Sequence, residues 1–199
     1  MSVETQIEKV IKSKSKGSLF MPGDFLELGS SEAVRQALVR LTDKKKIARV
    51  AQGIYVRPKE SELIGVLTPS IEEVADAIIK RDKIRAIPSG SYALNVLGLT
   101  TQVPMNIVLL TDGSAREIKI GKHTIKFKKT TPKNLMTKGK ISGLVIQALK
   151  EIGNGKVTAE EERIIIGLLE KENLENLRHD IQLAPVWIQQ IMKKAIIDE

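Results

Sequence analysis

Residues 20–58 read FMPGDFLELGSSEAVRQALVRLTDKKKIARVAQGIYVRP, and the order of signals in that stretch decides the fold of the first part of the chain. Pro22 can open a helix that carries Phe25 and Leu28 inward and that Gly29 ends. Ser30 or Ser31 then caps a second helix in which Val34, Ala37, Leu38 and Leu41 form one apolar stripe. The same periodicity turns Ser31, Glu32, Arg35, Gln36 and Arg40 toward solvent. Residues 47–50 and 54–56 are strand-like, and Gly53 between them offers the positive φ that a tight ribbon turn demands. A helix, a Gly-Ser turn, a second helix and a ribbon with glycine at its tip are what a winged helix-turn-helix DNA-binding module requires.

Working outward, Val3, Ile7, Val10 and Ile11 recur at helical spacing ahead of Lys16-Gly17, and residues 18–20 suit a short strand. Residues 58–68 mix Pro, Glu, Ser and Gly and read as a connector. Ser70 with Glu73 forms a capping box before a helix bearing Ile71, Val74, Ala75, Ile78 and Ile79. Residues 83–87 are strand-like, residues 92–97 suit a short helix stopped by Gly98, and residues 106–111 form an apolar strand. A hairpin around Gly121-Lys122 places Ile118, Ile120, Ile125 and Phe127 on one face and Lys119, Lys126 and Lys128 on the other. Helices are expected at 143–152, at 159–172 behind Thr158 and Glu161, and after Pro185. The expected fold is therefore α+β: a winged helix-turn-helix domain over 1–60, then an α+β domain with a helical C-terminal tail over 61–199.

The 199 residues carry 32 Lys plus Arg against 24 Asp plus Glu, a formal net charge of +8. Residues 1–60 hold 12 basic and 7 acidic side chains, residues 61–150 hold 14 and 7, and residues 151–199 hold 6 and 10. The excess of +5, +7 and −4 puts a polyanion footprint on the first two segments only. Zero cysteines remove disulfides and thiolate metal sites and fit a reducing cytoplasm. No run approaches the ~20 apolar residues of a membrane span, and the opening residues lack a signal-peptide core. A cytoplasmic protein with no membrane partner is the expectation.

Catalytic material is sparse. His123 lies at a hairpin turn and His179 beside Asp180, and neither position marks a ligand or base. There is no GxxxxGK[ST] loop and no HExxH helix. Ser89-Gly90-Ser91 fits a helix cap better than a phosphate cradle, and Glu160-Glu161-Glu162 opposes a helix dipole rather than holding a metal. No catalytic residue, cofactor or metal is expected. For DNA, Arg35 and Gln36 can read guanine and adenine bidentately, while Ser30 and Ser31 suit phosphate or base-edge contacts. Arg40, Lys44, Lys45, Lys46, Arg49 and Arg57 would neutralise phosphates, and Gln52 at the ribbon tip would enter the adjoining groove. An ordinary three-helix domain with a solvated basic face remains the competing reading of the same residues.

The run Gly29-Ser30-Ser31, Ala33 to Leu38, Leu41, Lys46-Ile47 and Val50 to Tyr55 resembles the N-terminal winged helix of AbiEi-type antitoxins, the regulator half of type IV toxin-antitoxin operons. Ser91-Tyr92-Ala93-Leu94-Asn95, Leu97-Gly98-Leu99-Thr100-Thr101-Gln102-Val103-Pro104 and Leu110-Thr111-Asp112-Gly113 are similar to that family's second domain. The resemblance covers roughly the first 135 residues. It implies operator binding on double-stranded DNA, repression of the protein's own operon, and neutralisation of a nucleotidyltransferase toxin without a stable complex; full operator affinity would further call for a homodimer on the DNA. It also marks Tyr92, Asn95, Thr100, Thr101 and Gln102 as a second-domain functional surface, although Tyr92, Leu94 and Leu97 equally suit a core. The alternative function is a stand-alone RNA-binding or protein-interaction module that uses the basic hairpin around Lys119 and Lys126.

Overall fold

The computed structural model describes residues 1–61 and 65–197 and shows an α+β chain. It divides into two compact units, Met1–Ile78 with Ile118–Lys122, and Ile79–Glu117 with His123–Glu199. Among the described residues no helix is long and apolar enough to cross a membrane.

In the first unit, α1 (Val3–Ser13) starts at Ser2, whose hydroxyl accepts the Thr5 amide. β1 (Leu19–Phe20) follows, then a 3-10 helix, Pro22–Leu28, whose entry is fixed by the Met21 N–H donating to the Asp24 carboxylate at 2.8 Å. Gly29 ends it in extended backbone (φ 167°), so glycine is needed there for room: a Cβ would stand 2.8 Å from Val3 Cγ2. α2 (Ser31–Asp43) is capped by Ser30, and its stripe of Val34, Ala37, Leu38 and Leu41 is buried. That stripe packs with Ile7, Ile11, Phe20, Phe25, Ile47 and Tyr55 into one core. β2 (Ala48–Ala51) and β3 (Ile54–Val56) pair antiparallel, β1 pairs with β3, and the sheet order is β1-β3-β2. Gly53 turns the ribbon at φ 69°.

The expected connector over 58–68 is structured at both ends. β4 (Lys59–Ser61) and β5 (Gly65–Leu67) pair antiparallel, Lys59 opposite Leu67 and Ser61 opposite Gly65, so the backbone bonds to itself where composition suggested a loop. Residues 62–64 of that stretch lie outside the described residues.

α3 (Ile71–Asp82) begins with the Ser70–Glu73 capping box in both directions. The strand expected at 83–87 instead runs Ala86–Ser89 as β6, because Lys83 takes a left-handed conformation (φ 52°) and closes α3, with Ile84 N–H bonding back to Ile79 O. α4 (Ser91–Val96), β7 (Asn106–Thr111), β8 (Arg116–Ile120) and β9 (His123–Lys129) follow. The sheet order is β6-β7-β9-β8; β7 runs antiparallel to β6 and parallel to β9, with Ile107 and Leu109 beside Ile125 and Phe127 on the buried face. A second 3-10 turn, Pro132–Leu135, leads to α5 (Lys140–Ile152), α6 (Ala159–Leu169), α7 (Leu174–Ile181) and α8 (Val186–Ile197). Their core joins Val145, Leu149, Ile165, Leu169, Leu177 and Ile188 with Ala93 and Leu97 of the α4 region. The helix expected over 159–172 stops at Leu169; Asn173 caps the separate α7 by accepting the Asn176 amide.

Candidate nucleic-acid interface

The exposed face of α2 is built from its amino end. Ser30 Oγ accepts the Ala33 N–H at 3.3 Å, which spends the side chain as a cap and leaves Ser31 exposed at the first turn. About one turn on stand Arg35 and Gln36, both exposed and both donating to the Glu32 carboxylate, at 3.0 and 3.2 Å. These are i,i+3 and i,i+4 contacts at a solvated surface and yield readily to a stronger acceptor. Val39 lies beside them and is 54% exposed, an apolar side chain that the stripe did not bury. Sequence reading passed over it because a single exposed valine carries no periodic signal.

At the other end of α2 the expected phosphate-binding cations are partly engaged. Glu4 of α1 accepts from Arg40 Nε at 2.7 Å and from Lys44 Nζ at 2.5 Å. The Lys44 hydrogen bond first, and the Arg40 hydrogen bond after it, hold the Glu4 carboxyl below its ordinary value. Arg57 is fixed more firmly: Nη1 donates to the Lys12 carbonyl at 2.9 Å and also to the Lys14 carbonyl. It therefore satisfies the free carbonyls at the end of α1, and a free phosphate-reaching arm is a poorer description of it. Arg49 Nε donates to its neighbour Ala51 O at 3.4 Å. Lys45 and Lys46 are exposed, and Gln52 is exposed at the ribbon turn beside Gly53.

The structure thus sorts the expected residues into two groups. Ser30, Ser31, Arg35 and Gln36 occupy the amino-terminal half of α2. Lys44, Lys45, Lys46 and Arg57 gather at its carboxyl end, near the open end of the β2–β3 ribbon, about 20 Å along a 13-residue helix. There they are joined by Lys12 and Lys16, whose part in the cluster depends on the return of the chain at Pro58 and has no local signature.

The second-domain residues separate as well. Tyr92 is buried (8% exposed) and belongs to the core, since α4 turns it inward with Ala93. Asn95 Nδ2 donates to Gln102 O, and Thr100 Oγ1 accepts the Gln102 N–H, so both shape the loop. Thr101 and Gln102 remain exposed on it, next to Val103 at 74% exposure. On the hairpin, Lys119 is exposed and Lys126 pairs with Glu117. His123 Nδ1 meets the Met105 carbonyl at 3.0 Å.

One carboxylate matters more than the sequence suggested. Asp180, fully buried, accepts from the Lys138 and Gly139 amides at 2.9 and 2.8 Å, from Ser142 Oγ at 2.5 Å, and from His179 Nδ1 at 2.8 Å. Glu172 takes the Ile141 and Ser142 amides. Both acids close the amino end of α5, so His179 and Asp180 form a structural joint. Among the described residues no group of three or more His, Cys, Asp or Glu is placed to hold a metal ion.

The fold and these surfaces define an α+β protein of two compact units with a basic, helix-borne face on the first. Over residues 6–177 the chain matches the family described as "Family of unknown function (DUF6088)", and it belongs to that family. No match is found among curated proteins.

Proposed function

We propose that the first unit is a winged helix-turn-helix module that binds double-stranded DNA, with α2 as the reading helix, and that the chain is a transcriptional regulator of its own operon. The observation that carries this reading is α2 itself. It follows a short helix across the Gly29-Ser30 turn, buries one stripe, presents Ser31, Arg35, Gln36 and Val39 to solvent, and is succeeded by a ribbon turned at Gly53. Arg35 and Gln36 are suited to base edges and Val39 to a thymine methyl, while Lys45, Lys46 and the cations now held by Glu4 neutralise the backbone. Counteraction of a nucleotidyltransferase toxin belongs to the same proposal and rests on the resemblance to AbiEi antitoxins.

The sheet of the second unit favours a duplex over a single-stranded partner. The chain has six aromatic residues, of which Phe20, Phe25, Phe127, Tyr55 and Tyr92 are buried, leaving half-buried Trp187 as the one with ring area to offer. Base stacking on an open sheet therefore lacks its platform.

The test is binding to duplex DNA from upstream of the gene. With about four phosphate contacts, affinity should fall roughly a hundredfold between 50 and 200 mM salt. Salt-independent binding, or equal affinity for unrelated duplexes, rejects a specific regulator.

A further inference from the structure

From Ala86 to Thr111 the chain carries no Asp, Glu, Lys, Arg or His over 26 residues. At its overall 28% share of charged residues, 26 positions would hold about seven. Burial explains the strands and the inner side of α4, where Ala93, Ile107 and Leu109 are packed away. It does not explain the passage from α4 into β7. There Thr101, Gln102, Val103, Met105 and Asn106 are exposed, and still none is charged. Val103 is 74% exposed, Met105 57%, and Val96 on the last turn of α4 46%.

This passage is held in place by its own hydrogen bonds. Asn95 Nδ2 donates to Gln102 O at 3.1 Å, a bond that Val96 adjoins on one side and Val103 on the other. The Gln102 N–H donates to Thr100 Oγ1 at 3.2 Å. The Thr124 N–H donates to Met105 O at 3.4 Å, and His123 Nδ1 meets the same carbonyl at 3.0 Å from the rim. Apolar side chains presented by a fixed loop lose little freedom when another surface covers them.

We propose that this surface joins two copies of the chain about a two-fold axis. Such a contact lays a patch against itself, so a charged residue near the axis meets its own like charge. A hydroxyl or a carboxamide both donates and accepts, and so can pair with its own copy. Beside its apolar side chains the patch carries only groups of that second kind, in Thr101, Gln102 and Asn106. Each copy has a net charge of +8, so two copies repel over most of their surface and approach at least cost where neither brings a charge. Three apolar side chains fall well short of the ~800 Å² per partner of a stable complex, so the contact is weak, with half-association at about 100 µM. The inference goes beyond the DNA reading and does not depend on it.

Sedimentation equilibrium of the whole protein without DNA, from about 10 to 500 µM, tests it. A dimer should form, and it should tighten about threefold as NaCl rises from about 50 to 300 mM, because salt screens the repulsion between the copies and finds no ion pair to weaken. Val103→Lys should leave a monomer at every concentration. Its melting temperature should match the native chain, since Val103 supports no core, and that separates a lost contact from a lost fold. Ile164→Lys, at an exposed apolar position on α6 next to Arg163, should dimerise as the native chain does. A monomer throughout at both salt concentrations would leave the patch to a different protein and overturns the proposal. So does a dimer that weakens with salt, or one that survives Val103→Lys and yields to Ile164→Lys instead.

Discussion

Two helices of equal length, α2 and α5, begin in opposite ways. α2 starts at an exposed Ser30 whose neutral hydroxyl takes one amide. α5 starts at buried Gly139, and two carboxylates from 30 to 42 residues further along the chain fill its end: Asp180 takes the Lys138 and Gly139 amides, Glu172 those of Ile141 and Ser142. A Cβ on Gly139 would stand 2.5 Å from Glu172 Oε2, so glycine is what lets that carboxylate reach the α5 amides. Helix N-termini attract anions, and an end already holding two acids has spent that attraction on the fold, whereas an end with a neutral cap keeps it for a partner. The contrast assigns stability to the α5 terminus and leaves the α2 terminus open for the recognition proposed above.

The sharpest way to break that assignment is at α5. Asp180→Ala leaves two amides and the Ser142 hydroxyl unpaired inside the protein, and should cost about 3–5 kcal/mol of stability. Urea denaturation measures it. A loss below about 1 kcal/mol would mean that water replaces the carboxylate and that the α5 end is open after all.

At α2 the expected effect is smaller and of another kind. Arg35→Ala or Gln36→Ala should relax sequence preference at one or two base pairs by about 1–3 kcal/mol, with the melting temperature unchanged. Lys46→Ala should instead weaken all duplexes alike. Selection of binding sites from random duplexes distinguishes these results; if preference survives both α2 substitutions, α2 does not read the groove.

The contrast also explains what the sequence disclosed. The α2 stripe, the Gly53 turn and the Ser70–Glu73 and Thr158–Glu161 boxes are written within a few residues of one another, and each is present as read. The closure of α5 was invisible because its donors and acceptors come together only after α6 and α7 have packed. The same holds for Glu4, which engages cations 36 and 40 residues away, and for Arg57 against the end of α1. α7 was missed because it spans eight residues, too few for a periodic pattern to stand out. Tyr92 was readable either as surface or as core, since a short amphipathic helix does not say which neighbour will cover it.

Ser30→Ala removes the neutral cap alone. It should cost about 1 kcal/mol, the ordinary worth of an exposed serine N-cap, and lower the melting temperature by a few degrees. A cost like that of Asp180→Ala would place the two helix ends in one class and remove the contrast.

The smallest effect is expected from Glu4→Gln, at the carboxyl end of α2. Glu4 holds Arg40 and Lys44, so its charge opposes any phosphate that approaches them. Its neutral replacement should raise duplex affinity by about two- to fourfold at low salt, and the gain should fade as salt screens it. The sign with pH follows from the lowered Glu4 carboxyl. The folded-state value lies below the unfolded one, so the contribution of these ion pairs to stability is fully present above the ordinary carboxylate range. It is lost only as pH falls through the lowered value. Between pH 5 and pH 8 the carboxylate stays charged, and the ratio of variant to native affinity should be flat. A ratio that changes across that window would assign the titrating group elsewhere. A fall in affinity on substitution would show that Glu4 aims Arg40 and Lys44 at the backbone rather than holding them from it.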